Sequence, residues 1–319
     1  MPFLLLVSLL SIANTDYSVY LEVVSMRNLM SPTYLFCLLF ASAPQLLLSQ
    51  QVLGSDSIRG SQIEVDVHGN ITLLETERNT IRRLTRELAP ADQVGGSGWR
   101  NDQFDRPSGV WARNGIDVFV ADYGNHRIQR FDRSLNFVSS LSTRESDNAA
   151  ERFGYPTDVA LSRLGDLYIC DSENTRIVKV DRSNRVERSF GGFDAGKGRL
   201  RNPRTLEIGP RDRVYVLDGT RILVFDSFGN FMRQVAGGMF QGSPPVIFAD
   251  EKGLVVLSSD VLYCFDEEDR LQASIALESL VAGRLENVRS LAFSAKKCYL
   301  LTDSGLLIVV DPRTQERLE

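Results

Sequence analysis

Short apolar runs recur along this chain, each closed by a polar turn, and three stretches repeat the pattern closely enough to align. They are PSGVWARNGIDVFVADYGNHRIQRFDRSLNFVSSL from Pro107, PTDVALSRLGDLYICDSENTRIVKVDRSNRVERSF from Pro156, and PRTLEIGPRDRVYVLDGTRILVFDSFGNFMRQV from Pro203. Each predicts four strands. One opens after Pro, and a Gly or Asp turn leads to an apolar second strand ending in Asp. A polar loop then leads to a third strand, and the fourth follows an Asn or Ser turn. Weaker copies begin at Ile63, Pro244 and Val288.

The residues that end the second strands are Glu75, Asp122, Asp171, Asp218, Ser258 and Asp303, in steps of 40 to 49 residues. Four strands at a period of about 40–50 residues is the signature of propeller blades. From each of these residues to the polar end of the third strand the distance is 10 in the first three copies and 8 in the last three. A change of two keeps the apolar set of a strand on one face, whereas a change of one would turn it outward. The expected fold class is all-β, a six-bladed β-propeller of four-stranded antiparallel blades. Neighbouring blades cover one another, and closure of the ring removes exposed sheet ends. Gln315–Glu319 fall where the last blade needs its outer strand.

The first fifty residues follow a different pattern. Two apolar runs, Pro2–Leu10 and Tyr34–Leu48, each fall short of the ~18–20 uninterrupted apolar residues of a membrane span. Met26, Arg27 and Asn28 precede the second run, and small residues at Ala41, Ser42, Ala43 and Ser49 offer cleavage sites. This is the layout of a secretory signal peptide with Met26 or Met30 as the working start. The expected division is a leader over 1–50 and a propeller over 51–319. The mature chain is expected to begin between about Pro44 and Val52, and the protein to be secreted, periplasmic or in the cell envelope. An uncleaved membrane anchor is the competing reading.

A formal net charge of −5 on 319 residues is too mild to argue for general nucleic-acid binding. Beyond the leader only Cys170, Cys264 and Cys298 remain. They sit in apolar runs without a CxxC pair, so buried free thiols are expected rather than a disulfide framework or a zinc site.

The strings VFVADYGNHRIQRFD, LYICDSENTRIVKVD and VYVLDGTRILVFD resemble NHL repeats, named for an Asn-His-Leu-like triplet. The matching positions read Asn125, His126, Arg127; Asn174, Thr175, Arg176; and Gly219, Thr220, Arg221. Pro107, Pro156 and Pro203 match the family's Pro before the inner strand. GGSG at Gly95–Gly98 and GGFDAGKGRLRNP from Gly191 match its Gly-rich approach. The resemblance is strong over about 104–236 and weak but in frame elsewhere. It implies a propeller, and it implies no single activity, since such propellers occur in binding proteins, sensor domains and lyases.

The pairs Asp122 with Arg127, Asp171 with Arg176 and Asp218 with Arg221 recur with the repeat, which assigns them a structural role. A zinc lyase of this superfamily needs several His ligands, and the chain has only His68 and His126 in different blades. A calcium-dependent lactonase-type propeller needs carboxylates converging on the tunnel. The column aligned with Gly109 reads Glu64, Gly109, Asp158, Thr205, Val246 and Ser290, so Glu64 with Asp158 is a thin cation-site alternative. No cofactor and no catalytic residue is expected.

The resemblance implies that the loops before the inner strands share a face with those after the second strands. They carry Trp99, Arg100 and Arg106; Arg152, Phe153 and Tyr155; and Arg199, Arg201 and Arg204. Guanidinium groups with aromatic neighbours suit an anionic ligand or a protein partner; a solvated rim balanced by Asp102, Asp105 and Glu151 is the plainer reading. The expected function is therefore a non-enzymatic binding or scaffold propeller, with nucleic acid discounted as a partner of an exported protein. The alternative is a metal-assisted hydrolase or lyase working in the central tunnel.

Overall fold

The computed structural model describes residues 51–53, 58, 60–240, 242–280, 287–294, 296–310 and 313. The expected leader over 1–50 and the tail Gln315–Glu319 lie outside them. The described residues form six four-stranded antiparallel sheets. From inner to outer strand, blade 1 is Gln62–Val65, Ile71–Glu75, Thr80–Leu84 and Pro90–Gly95. Blade 2 is Pro107–Trp111, Asp117–Asp122, Arg127–Asp132 and Phe137–Leu141. Blade 3 is Pro156–Leu161, Leu167–Asp171, Arg176–Val180 and Val186–Phe190, and blade 4 is Pro203–Ile208, Val214–Asp218, Arg221–Phe225 and Phe231–Val235. Blade 5 is Val246–Asp250, Gly253–Ser258, Val261–Phe265 and Leu271–Ala276. Blade 6 is Val288–Ser294, Lys297–Thr302, Leu306–Val310 and, from the other end of the array, Gln51–Leu53. Each inner strand touches the inner strands of both neighbouring blades, so the ring is closed.

The last blade corrects the expectation for its outer strand. Gln51, Val52 and Leu53 pair with Ile308, Leu307 and Leu306. A strand from before the first repeat thus completes the blade, and the ring closes by hydrogen bonds between its two ends.

The ladder confirms the frame in blades 2–4, where Pro107, Pro156 and Pro203 face Asp122, Asp171 and Asp218. Two positions differ. In blade 6 Val288 faces Thr302, so Thr302 is the counterpart and Asp303 lies one residue beyond it. In blade 1 Gln62 faces Leu74, whereas Gly109 faces Ala121 and Asp158 faces Cys170. Gln62, not Glu64, therefore belongs to the tunnel column.

The two loop lengths have a conformational origin. The longer connections carry a left-handed residue before the third strand, namely Asn79, His126 and Thr175, with Glu75 facing Thr80, Asp122 facing Arg127 and Asp171 facing Arg176. The shorter ones are two-residue turns with Asp218 facing Arg221 and Ser258 facing Val261. Such tight turns match the strand twist when their central residues take positive φ, as Gly219, Ser259 and Asp260 do.

Second and third strands are buried almost throughout and outer strands are half exposed. Between blades 3 and 4 a chain of rings runs Tyr168–Phe190–Phe225–Phe231 with centroids 6.4, 5.0 and 5.9 Å apart, within the favourable range for aromatic pairs. Cys170, Cys264 and Cys298 are buried free thiols, as expected. Among the described residues no helix is long and apolar enough to cross a membrane.

Candidate functional site

The end of the second strand builds the loop face. Arg127 Nε donates to Asp122 Oδ2 at 2.8 Å, and its Nη2 donates to the carbonyls of Arg100 (2.8 Å) and Gln103 (3.0 Å). In blade 3 Arg176 Nε donates to Asp171 Oδ2 at 2.9 Å and Nη2 to the Arg152 carbonyl at 2.6 Å. In blade 4 Arg221 Nη2 pairs with Asp218 Oδ2 and reaches the Arg199 carbonyl at 3.2 Å. The second carboxylate oxygen of each Asp accepts a backbone N–H from the same incoming loop: Asp105 at 2.8 Å, Gly154 at 3.1 Å and Arg201 at 2.7 Å. Asn125 and Asn174 add side-chain bonds to Asp122 and Asp171 at 2.9 and 2.8 Å. Asp122 and Asp171 are fully buried. A buried carboxylate persists only when its lone pairs are used, and here they hold the loop.

Each clamp grips the carbonyl of an arginine whose own side chain is exposed: Arg100, Arg152 and Arg199. Trp99 is 78% exposed, and Phe193, which sequence reasoning passed over, is 80% exposed with Arg199 stacked 4.3 Å above its ring. Arg201 and Arg204 are exposed as well. On the rim Arg106 pairs with Asp105 at 3.2 Å and Arg144 with Glu173 at 3.4 Å. Arg100, Arg152, Arg199, Arg201 and Arg204 form no ion pair among the described residues, whereas Arg82, Arg83, Arg113, Arg127, Arg130 and Arg176 all do.

Tyr155 belongs to a cluster between blades 2 and 3. Its ring lies 4.1 Å from that of His126 and 5.1 Å from that of Tyr123, over which Arg106 sits at 5.3 Å. His126 Nδ1 accepts the Tyr155 N–H at 3.1 Å and lies 2.7 Å from Arg144 Nη1. Burial and then the Arg144 charge hold His126 below its usual range, so it is a neutral acceptor at pH 7. Arg144 gave no sequence signal because it lies in the loop after the blade 2 outer strand, outside the repeat frame.

The central tunnel opens as one cavity of about 150 Å³ lined by residues of all six blades. Its lower part is crossed by an arginine that the sequence did not single out. Arg113, in the turn after the blade 2 inner strand, places Nε 2.7 Å from Glu64 Oε2 and Nη2 3.1 Å from Glu64 Oε1. The same Nη2 lies 2.7 Å from Glu207 Oε2, Nη1 donates to the Ala249 carbonyl at 2.8 Å, and the guanidinium stacks 4.4 Å from the Phe248 ring. Glu64 and Glu207 come from blades 1 and 4, on opposite sides of the ring. Desolvation alone would lower Arg113, but the charges of Glu207 and Glu64 outweigh it and raise its pKa.

Asp158 is 4% exposed, and its Oδ1 and Oδ2 accept the N–H groups of Val159 (2.9 Å) and Leu206 (3.0 Å). Burial pushes Asp158 up to about 7 and Glu207 up to about 8. Glu64 and Asp158 therefore line one cavity in different rings, with the oxygens of each already engaged. A paired signal existed in the sequence: Glu64 and Glu207 each stand two places after the tunnel-column residue of their strand, Gln62 and Thr205, which the two-residue offset in blade 1 concealed.

Six four-stranded blades with Asp–Arg clamps on successive blades define an all-β repeat propeller. The NHL repeat family model matches residues 153–180, from the approach to the blade 3 inner strand through Arg176. The chain belongs to the NHL-repeat β-propeller family. It is 29% identical to Protein brain tumor of Drosophila melanogaster over 146 residues, 44% of this chain and 13% of that protein. It is 30% identical over 105 residues to a probable peptidyl-alpha-hydroxyglycine alpha-amidating lyase of Caenorhabditis elegans, 32% of this chain and 29% of that protein. The matches thus span less than a third of either relative. A gluconolactonase from Xanthomonas campestris shares the fold with a TM-score of 0.56 at 12% identity, covering 79% of this chain and 85% of that one.

Proposed function

We propose that this propeller is an exported, non-enzymatic binding module whose loop face takes an acidic segment of a protein partner. One observation carries the reading: Arg100, Arg152, Arg199 and Arg201, on loops anchored by buried clamps, and Arg204, at the start of the blade 4 inner strand, are exposed without a carboxylate partner among the described residues. A solvated rim balanced by its own acids would pair them. Trp99 and Phe193 supply aromatic anchors beside the charge, and aromatic residues with Arg are the side chains that dominate protein interfaces. Anchored loops also lower the ordering cost of binding.

The test is fluorescence anisotropy with a labelled oligo-glutamate peptide. The parent should bind at low salt and release the peptide as salt rises, because exposed charges are screened within about 8–10 Å at 0.1–0.15 M. Replacing Arg100, Arg152 and Arg199 together by Ala should abolish most of the binding. Equal affinity in that variant overturns the reading.

A metal-assisted hydrolase or lyase in the tunnel is the second reading, favoured by the identity to the nematode lyase over part of the chain. Against it, Arg113 occupies both oxygens of Glu64, and backbone N–H groups occupy those of Asp158. Ca²⁺ or Zn²⁺ retained by the purified protein would favour it.

A further inference from the structure

At the tunnel mouth the residue after the Pro position of each inner strand faces the cavity. The ring reads Ser61, Ser108, Thr157, Arg204, Pro245 and Arg289. Where it holds a hydroxyl, the position ties blades together. Ser108 Oγ donates to the Pro156 carbonyl of the next blade at 2.8 Å, and Thr157 Oγ1 lies 3.5 Å from the Pro203 carbonyl. Ser61 Oγ bonds Thr76 Oγ1 at 2.7 Å, which in turn donates to the Pro107 carbonyl. In blades 4 and 6 an arginine replaces that tie. Arg204 has no hydrogen-bond or ion-pair partner among the described residues, and Arg289 pairs only with exposed Asp303, a contact of little net value in water.

Beneath the mouth lie Gln62, Thr205 and Ser290, and the Glu64–Arg113–Glu207 bridge floors the cavity. The oxygens of Asp158 are taken up by backbone N–H groups, and Glu64 and Glu207 are held by Arg113, so the two mouth guanidiniums are the charges turned to the open cavity. The void of about 150 Å³ is the size that admits a ligand of about six or more heavy atoms. Its polar walls call for a hydroxylated body rather than a hydrocarbon.

We propose that the tunnel mouth is a blind pocket for a small hydroxylated organic anion, its acid group held by Arg204 and Arg289 and its hydroxyls turned toward Gln62, Thr205 and Ser290. This site is separate from partner binding on the rim, although Arg204 stands at the border of both. The shared chemistry is an oxyanion, carboxylate or phosphate, paired with guanidinium.

Calorimetric titration of the full chain with glycerate, malate and glycerol 3-phosphate tests it, with glycerol as the uncharged probe. At least one acid should bind at a single site, and glycerol should not. Whether glycerate or glycerol 3-phosphate binds more tightly identifies the acid group. Arg204→Ala and Arg289→Ala should each weaken binding about tenfold, the loss of one charged hydrogen bond, with melting unchanged. Arg201→Ala, which removes the same charge off the tunnel, should bind like the parent. The proposal is overturned if no acid binds at millimolar concentration, if Arg201→Ala weakens binding as much as Arg204→Ala, or if both tunnel-mouth variants bind like the parent. None of these outcomes touches the rim reading, which the oligo-glutamate peptide reports.

Discussion

Arg176 and Asp171 face each other across the second and third strands of blade 3, Nε to Oδ2 at 2.9 Å, with the aspartate fully buried and the guanidinium reaching on to the Arg152 carbonyl. The pair is at once a strand-end contact and the support of a surface loop. Stability and presentation of the rim are therefore coupled through one side chain.

Removing that side chain should cost stability whether or not a partner is present. Arg176→Ala leaves a buried carboxylate without its cation, a change worth about 3–5 kcal/mol. Arg201→Ala lies in an exposed loop, where substitutions move stability by about ±0.5 kcal/mol. Denaturant titration of both variants checks this; equal midpoints would remove the structural role of the clamp.

Loss of the closing strand should weaken the whole ring. A chain starting at residue 54 lacks Gln51–Leu53 and leaves Leu306–Val310 as an open edge. It should unfold at lower denaturant than a chain starting at Gln50 and should associate more readily, since an unpaired strand is a template for pairing. If the two chains share a midpoint, closure by this strand contributes nothing.

Asp158 should give the fold a measurable pH dependence. Burial raises its pKa from 3.8 to about 7 in the folded protein. The folded state then binds the proton more tightly than the unfolded chain. The stabilisation is full below about pH 4 and is lost as pH rises through about 7. Glu207, raised to about 8, acts in the same direction. Asp158→Asn mimics the protonated form, so its melting temperature should fall less than the parent's between pH 5 and 8. The difference is at most about 4 kcal/mol at full ionisation. Parallel pH profiles for the two proteins would contradict the assignment.

Gly109 should not tolerate a side chain. A Cβ there would lie 2.4 Å from Asp158 Oδ1 and 2.7 Å from its Cα. Gly109→Ala must push blades 2 and 3 apart at the tunnel, an overpacking that typically costs about 1–3 kcal/mol. A melting temperature equal to the parent's would show that the inner strands yield without cost.

The blade is legible in the sequence. The Pro–Asp frame of blades 2–4, the even change in loop length and the Asp–Arg recurrence are all local, written within some twenty residues, where strand periodicity and turn chemistry act. The sequence also placed Trp99, Arg100, Arg152, Tyr155, Arg199 and Arg201 on loops, because loop position follows from the strands on either side, whereas Arg204, expected on the same loop, is the second residue of the blade 4 inner strand Pro203–Ile208. What meets across the ring is set by the closed fold. Arg113 and Glu207 are 94 residues apart, and neither belongs to a motif. The two-residue offset that puts Gln62 in the tunnel column and drops Glu64 to its floor appears only once Gln62 is seen facing Leu74. The same holds for the strand that closes blade 6 and for which rim arginines lack a carboxylate. A repeat specifies its own hydrogen bonds, but closure brings together chain ends and side chains whose pairing no local pattern constrains, and there three-dimensional packing alone selects the partners.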